Sequence, residues 1–169
     1  VYTLLAEIRD RFGFRDAEVG IIAFAGLGMG FLAQISLAKL ADRGHAAAMV
    51  RFGLLAAAAG MAWTVFATEL WQWIGARALL GIGSGTVGPA VRRLVIARDP
   101  ANMGQNLGRQ ASFDVGGFVL GPLLAAVLAE LFGLRAPFAI LAGVYLLMLL
   151  RVSRLDLHAG VEATTPRVL

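Results

Sequence analysis

The sequence predicts an all-α, polytopic helical membrane protein, on three observations. Residues 19–38, 52–68, 78–91, 115–129 and 136–150 carry no charged side chain. Apolar residues make up 59% and charged residues 15% of the chain, against about 25% charged in soluble domains. The charges that do occur are gathered in short runs between the apolar stretches. A surface helix of a soluble domain needs a polar outer face, and these stretches have none. About 20 apolar residues in a helix cross the roughly 30 Å hydrocarbon core.

Each element follows from its boundaries. Residues 1–6 read as the end of an apolar helix, so the chain is expected to be a piece of a longer protein. Residues 7–18 form a charged loop turning at Gly13. A helix is predicted over 19–41, then a tight turn at 42–48 broken by Gly44. The next helix covers 49–67 and stops near Thr68 and Glu69. A third covers 70–92, with Gly81, Gly83, Gly85, Gly88 and Pro89 inside it. A polar connection over 93–109 holds Asp99-Pro100, a turn signal. Helices over 110–130 and 137–150 follow, separated by a turn at Gly133. Residues 1–152 thus form the transmembrane bundle, and 153–169 a juxtamembrane segment and tail.

Charge sets the orientation. Lys39, Arg43, Arg51, Arg92, Arg93, Arg98, Arg109, Arg151, Arg154 and Arg167 fall on one side, and Arg9, Arg11, Arg15 and Arg135 on the other. Lys and Arg mark the cytoplasmic side. The 42–48 turn and the C-terminus are therefore expected in the cytoplasm, and the chain in the inner (plasma) membrane. The formal net charge of +4 does not indicate nucleic acid, because the basic residues sit at helix ends. With no cysteine there is no thiolate nucleophile, disulfide or cysteine metal site. His45 and His158 are too few and too far apart for a metal centre. The Gly81–Gly88 run lacks the following Lys-Ser/Thr of a phosphate loop and lies within a helix. No enzyme activity and no cofactor are expected.

A few residues break the pattern. Gly26 and Gly30, Gly81 and Gly85, and Gly117 and Gly121 lie four apart, so each pair lines one helical face and allows close packing. Pro89 and Pro122 remove helical hydrogen bonds and bend their helices. Arg77 lies about 10 Å into its helix, where an Arg costs about 2.5–3.5 kcal/mol on insertion scales. It can snorkel outward, pair structurally or serve a site. Asp114 is the one acid inside the core of a predicted helix. It can pair with Arg92 or Arg93, or carry a proton, since desolvation raises a buried carboxyl's pKa. Trp63, Trp71 and Trp73 near the outer helix ends read as an interfacial belt.

Three motifs in order resemble one family. Leu40, Ala41, Asp42 and Arg43 resemble the loop signature after the second helix of the major facilitator superfamily, with Ala46 and Ala47 replacing its basic pair. Arg77 and Gly81 resemble its fourth-helix pattern, with Leu80 replacing the usual Gln. Gly117, Gly121 and Pro122 resemble the fifth-helix signature of its antiporters, and 132–138 resembles its turn before the sixth helix. The resemblance implies the N-terminal six-helix bundle, lacking most of the first helix and the whole C-terminal bundle. It further implies a secondary transporter of small molecules working by alternating access, proton-coupled and of the drug or metabolite efflux type. Its partners are then the lipid bilayer, a small-molecule substrate, protons and the C-terminal bundle. Arg77 and Asp114 are the expected substrate or proton path, with Arg77 lining the central cavity. Asp42 and Arg43 are the expected cytoplasmic gate. The alternatives are a non-transporting membrane scaffold and a truncated product without activity of its own.

Overall fold

Six helices and their short connections make up the described part of the chain. The structure is a computed structural model describing residues 4–154, with the backbone alone for Ala41 and Asp42. The helices are α1 (Leu5–Phe12), α2 (Asp16–Leu40), α3 (Ala46–Phe66), α4 (Leu70–Arg98), α5 (Met103–Phe132) and α6 (Ala136–Arg154). No strand occurs among the described residues. The expected tail lies outside them, apart from Ser153 and Arg154, which belong to α6.

The helices outrun the apolar stretches. Residues 7–12, expected as loop, continue α1, because Ile8 points into the core while Glu7 and Asp10 face outward. Gly13, at φ +70°, ends this helix, and its N–H reaches the Arg9 carbonyl. The polar connection expected over 93–109 shrinks to four residues, Asp99–Asn102. Charge ends the bilayer-spanning part of a helix, whereas backbone signals end the helix itself. Here the signal is Asp99-Pro100: the Asp99 side chain accepts a hydrogen bond from the Asn102 backbone N–H at 3.3 Å. At the other end of α4, Glu69 and Gln72 form a reciprocal capping box. Gly44 takes φ +86° in the turn between α2 and α3.

Packing centres on α4, which lies along both α2 and α3, while α6 packs on α3 and α5 touches α4 and α6 only sparsely. One core cluster joins Ile8, Ile22, Met61, Trp73 and Phe138. A second joins Ala46, Met49, Val50, Leu54 and Ala90. Trp73 is buried at 2% exposure, edge-on to Phe12 at 5.5 Å and to Phe138 at 6.1 Å. It therefore belongs to the core rather than to an interfacial belt, whereas Trp63 and Trp71 are exposed.

Four helical segments have the length and apolarity of a membrane span: Asp16–Leu40, Arg43–Phe66, Pro100–Phe132 and Ala136–Arg154. The 29-residue α4 is less apolar because it carries Arg77, Ser84, Thr86 and the glycine run, and α2 and α3 cover it. Phe24, Phe31, Phe118 and Leu131 point outward, which suits a lipid surround and not water. The chain is a multi-pass membrane protein.

Candidate functional site

Glycine spacing brings α2 onto α4. A Cβ at Gly81 would collide with the Gly26 carbonyl, and one at Gly85 with the Gly30 carbonyl. The two pairs therefore mesh backbone to backbone. On the adjoining face of α4, a Cβ at Gly83 would lie 2.6 Å from the Gly53 carbonyl oxygen of α3. With both faces so close, the hydroxyls inside α4 turn back on their own helix. Ser84 donates to the Gly81 carbonyl at 3.0 Å, and Thr86 to that of Ile82 at 2.7 Å.

Arg77 lies one turn before Gly81 and faces α2. It is 4% exposed, and its guanidinium covers Gly26, where an added Cβ would lie 3.2 Å from an Arg77 Nη2. The side chain is packed in the bundle and does not snorkel to the surface. It lines a cavity of about 280 Å³ with Leu27, Leu80, Ser84 and Tyr145. A second cavity of about 340 Å³ continues along α4, lined by Ser84, Gly88, Arg92, Gln110, Asp114 and Tyr145 among others. Ser84 and Tyr145 border both.

Asp114 is exposed rather than enclosed between helices, because α5 lies loosely against the bundle. It lines the second cavity with Arg92, yet no ion pair joins the two among the described residues. Arg77 and Asp114 border different cavities. Arg77 and Arg92 are about 22 Å apart along α4 at 1.5 Å per residue, so the two guanidinium groups lie far apart although the cavities adjoin at Ser84 and Tyr145.

The remaining expected residues divide. The Asp42 side chain lies outside the described part, and Arg43 is exposed at the turn. Ala46 and Ala47 are 1% and 2% exposed. Larger basic residues would not fit there, which explains the missing basic pair. Gly81 and Gly85 do pack, but no other helix lies within 4 Å of a Cβ placed at Gly117 or Gly121. Gly117, Gly121 and Pro122 all face outward. Neither Pro89 nor Pro122 ends its helix. Sequence reasoning passed over Tyr145, Ser84 and Gln110. Tyr145 had a signal: it is the one hydroxyl-bearing side chain in the 136–150 apolar run.

The Major Facilitator Superfamily model matches residues 1–167. Similar curated proteins include the "Multidrug resistance protein MdtG" of Proteus mirabilis, 37% identical over 107 residues. Those of Dickeya zeae and Rahnella sp. are 39% identical over 105 residues and 38% over 109. The matches cover 63%, 62% and 64% of this chain respectively, and 26% of each relative. The chain thus spans about a quarter of the length of the curated relatives it matches. No solved structure matches it.

Proposed function

From the premise that the chain belongs to the Major Facilitator Superfamily, we propose that it is the N-terminal bundle of a secondary transporter. In this reading the intact protein moves small organic molecules by alternating access and exports drugs or metabolites in exchange for protons. The chain lies in the plasma membrane with its C-terminus in the cytoplasm, following the Lys/Arg asymmetry. The C-terminal bundle would supply the opposite wall of the path.

One observation carries the reading: Arg77 is buried deep in α4 and borders a cavity with Ser84 and Tyr145. A purely packing position would be filled at lower cost by Leu or Met, since the guanidinium must be desolvated. Arg77 then orients substrate or tunes a nearby proton site, and its planar donors give direction as well as charge. Asp114 takes and releases the proton, reached through the cavity it shares with Arg92 and Gln110. Asp42 and Arg43 contribute the cytoplasmic gate against the other bundle.

The test uses the full coding region, expressed in cells and in inverted membrane vesicles with an imposed proton gradient. Gradient-driven uptake of an organic dye carrying an anionic group is expected, and a protonophore abolishes it. Arg77→Ala abolishes uptake and Arg77→Lys restores part of it, while Asp114→Asn uncouples uptake from the gradient, all at normal membrane abundance. Wild-type uptake in Arg77→Ala and Asp114→Asn would overturn both assignments. Absence of any gradient-driven flux would favour the scaffold reading, to which the open Gly117 and Gly121 face of α5 lends itself.

A further inference from the structure

Gln110 lies on α5 where two cavities adjoin. One, of about 700 Å³, sits where the C-terminal end of α4 meets the N-terminal end of α5, and Arg98, Asp99, Asn106 and Arg109 are among its lining. The other is the cavity of about 340 Å³ that Arg92, Ser84 and Tyr145 help to line. Gln110 and Asp114 are the two residues that border both.

The amide of Gln110 has an acceptor to spare. Its Oε1 is shielded from water and accepts no hydrogen bond among the described residues. A shielded acceptor without a donor is unfavourable, so a donor that reaches it in one state of the protein favours that state. Gln110 and Asp114 stand four apart on one helix, which brings their Cβ atoms to about 5–6 Å. Hydrogen bonds between Gln and Asp form at this spacing with no movement of one helix against another. The pair therefore does not depend on how closely α5 packs.

The other polar groups nearby are placed differently. Arg98 and Arg109 border only the larger of these two cavities, and Arg92 and Tyr145 only the smaller. Asn106 donates to Asp99 at 3.1 Å, and the Asp99 carboxylate also accepts from Asn102 at 3.0 Å. An ionised Asp114 offers Gln110 no proton, because a carboxylate only accepts. A protonated Asp114 has an O–H donor, with the unused Oε1 one turn away.

We propose that Gln110 is the positioning partner of the Asp114 proton: the protonated carboxyl donates its O–H to Gln110 Oε1, and the ionised carboxylate accepts from the Gln110 amide N–H once the amide has turned over. A hydronium in the larger cavity gives its proton to a carboxylate oxygen and leaves as water, and the new O–H closes on Oε1. The reverse step returns the proton to water. Each state of Asp114 is thus satisfied from within α5. The inference rests on the reading of Asp114 as a proton carrier, and Gln110 itself neither takes nor releases a proton.

Infrared spectroscopy of the purified 169-residue chain in detergent tests the pair without transport. At acid pH, the difference between the parent and Asp114→Asn isolates the carbonyl stretch of the protonated Asp114. The band is expected at the lowered frequency of a hydrogen-bonded acid. Gln110→Met keeps the length, loses the acceptor and shifts the band up. Gln110→Glu, whose acid carbonyl accepts in place of the amide, holds it down, measured against Gln110→Glu with Asp114→Asn. The amide band of the same spectra shows that each variant keeps its helices, and Gln110→Leu replaces a misfolded Gln110→Met. In vesicles of the intact protein, Gln110→Met slows gradient-driven dye uptake by up to about tenfold, the effect of one hydrogen bond, with KM for the dye unchanged. A band that does not move in the Met or Leu variant would overturn the pairing, even where Asp114→Asn uncouples transport. A band that moves as expected beside normal coupling in Asp114→Asn would overturn the proton-carrier reading while the hydrogen bond stands.

Discussion

Replacing Gly83 by Ala tests the packing of α4 against α3. The new Cβ would lie 2.6 Å from the Gly53 carbonyl oxygen, 2.7 Å from the Ala57 nitrogen and 3.0 Å from the Ala57 Cβ. Comfortable contact begins about 0.8 Å further out. Two of the three obstacles are backbone atoms, so no side-chain rotation relieves the clash and α3 must move off α4. Overpacking of this kind costs about 1–3 kcal/mol. Ala returns up to about 1 kcal/mol of helix propensity measured in water. The net expectation is a loss of about 1–2 kcal/mol, or a factor of roughly 5–30 in the folded-to-unfolded ratio. Gly117→Ala is the control, because no described residue lies within 4 Å of its Cβ, and it should be neutral or slightly stabilising. Dodecyl sulfate titration of the purified chain in mild detergent, followed by circular dichroism, measures both. Equal stability of Gly83→Ala and the parent would refute the packing argument, as would an equal loss in Gly117→Ala.

Sidedness is checked with single cysteines at His45 and Glu130, both exposed, labelled by an impermeant reagent in intact cells. Labelling at 130 and not at 45 is expected, and the reverse would invert the topology. Trp73→Ala should destabilise the bundle by about 3–5 kcal/mol, as for large buried aromatics, while Trp71→Ala costs little; the same detergent titration reads both. Hydrogen bonds from Asn102 and then Asn106 hold the Asp99 carboxyl below its ordinary pKa. A group with a depressed folded pKa stabilises the fold above its unfolded pKa and loses that contribution as pH falls through the folded one. Asn102→Ala with Asn106→Ala should therefore raise the Asp99 pKa, read by carboxyl carbon NMR, and reduce the protein's loss of stability on acidification. An unchanged Asp99 titration would refute this assignment.

The helix order was legible because each span had to be charge-free over the bilayer thickness. Helix ends were less legible, because a charged residue marks the edge of the hydrocarbon and not the end of hydrogen bonding. Arg92–Arg98 and Met103–Arg109 continue as helix for that reason. The glycine pairs show what spacing can and cannot say. Gly26 and Gly30 do meet Gly81 and Gly85, while the identically spaced Gly117 and Gly121 meet nothing described. A four-residue repeat identifies a close-approach face without naming its partner. Asp114 could be placed at a depth from sequence, but its angular position depends on how far α5 stands off the bundle. Trp73 was misread as interfacial because its neighbours Phe12 and Phe138 are distant in sequence and converge only in the fold.

The close approach of α2 to α4 and the placement of Arg77 have a common cause. Gly26 meets Gly81 through its carbonyl, and its empty Cβ position lies against the Arg77 guanidinium. A side chain at 26 would therefore press on the cation as well as separate the helices. Conversely, the Gly81 contact that draws the backbones together lies one turn from Arg77, which keeps the long side chain alongside α2 instead of leaving it to reach water. Packing thus limits the freedom of the guanidinium before any ligand arrives. In the transport reading this is preorganisation: a cation already held in one place loses less entropy on binding an anionic group than one on a free stem. The glycines that allow the helices to pack are, on that argument, part of the site.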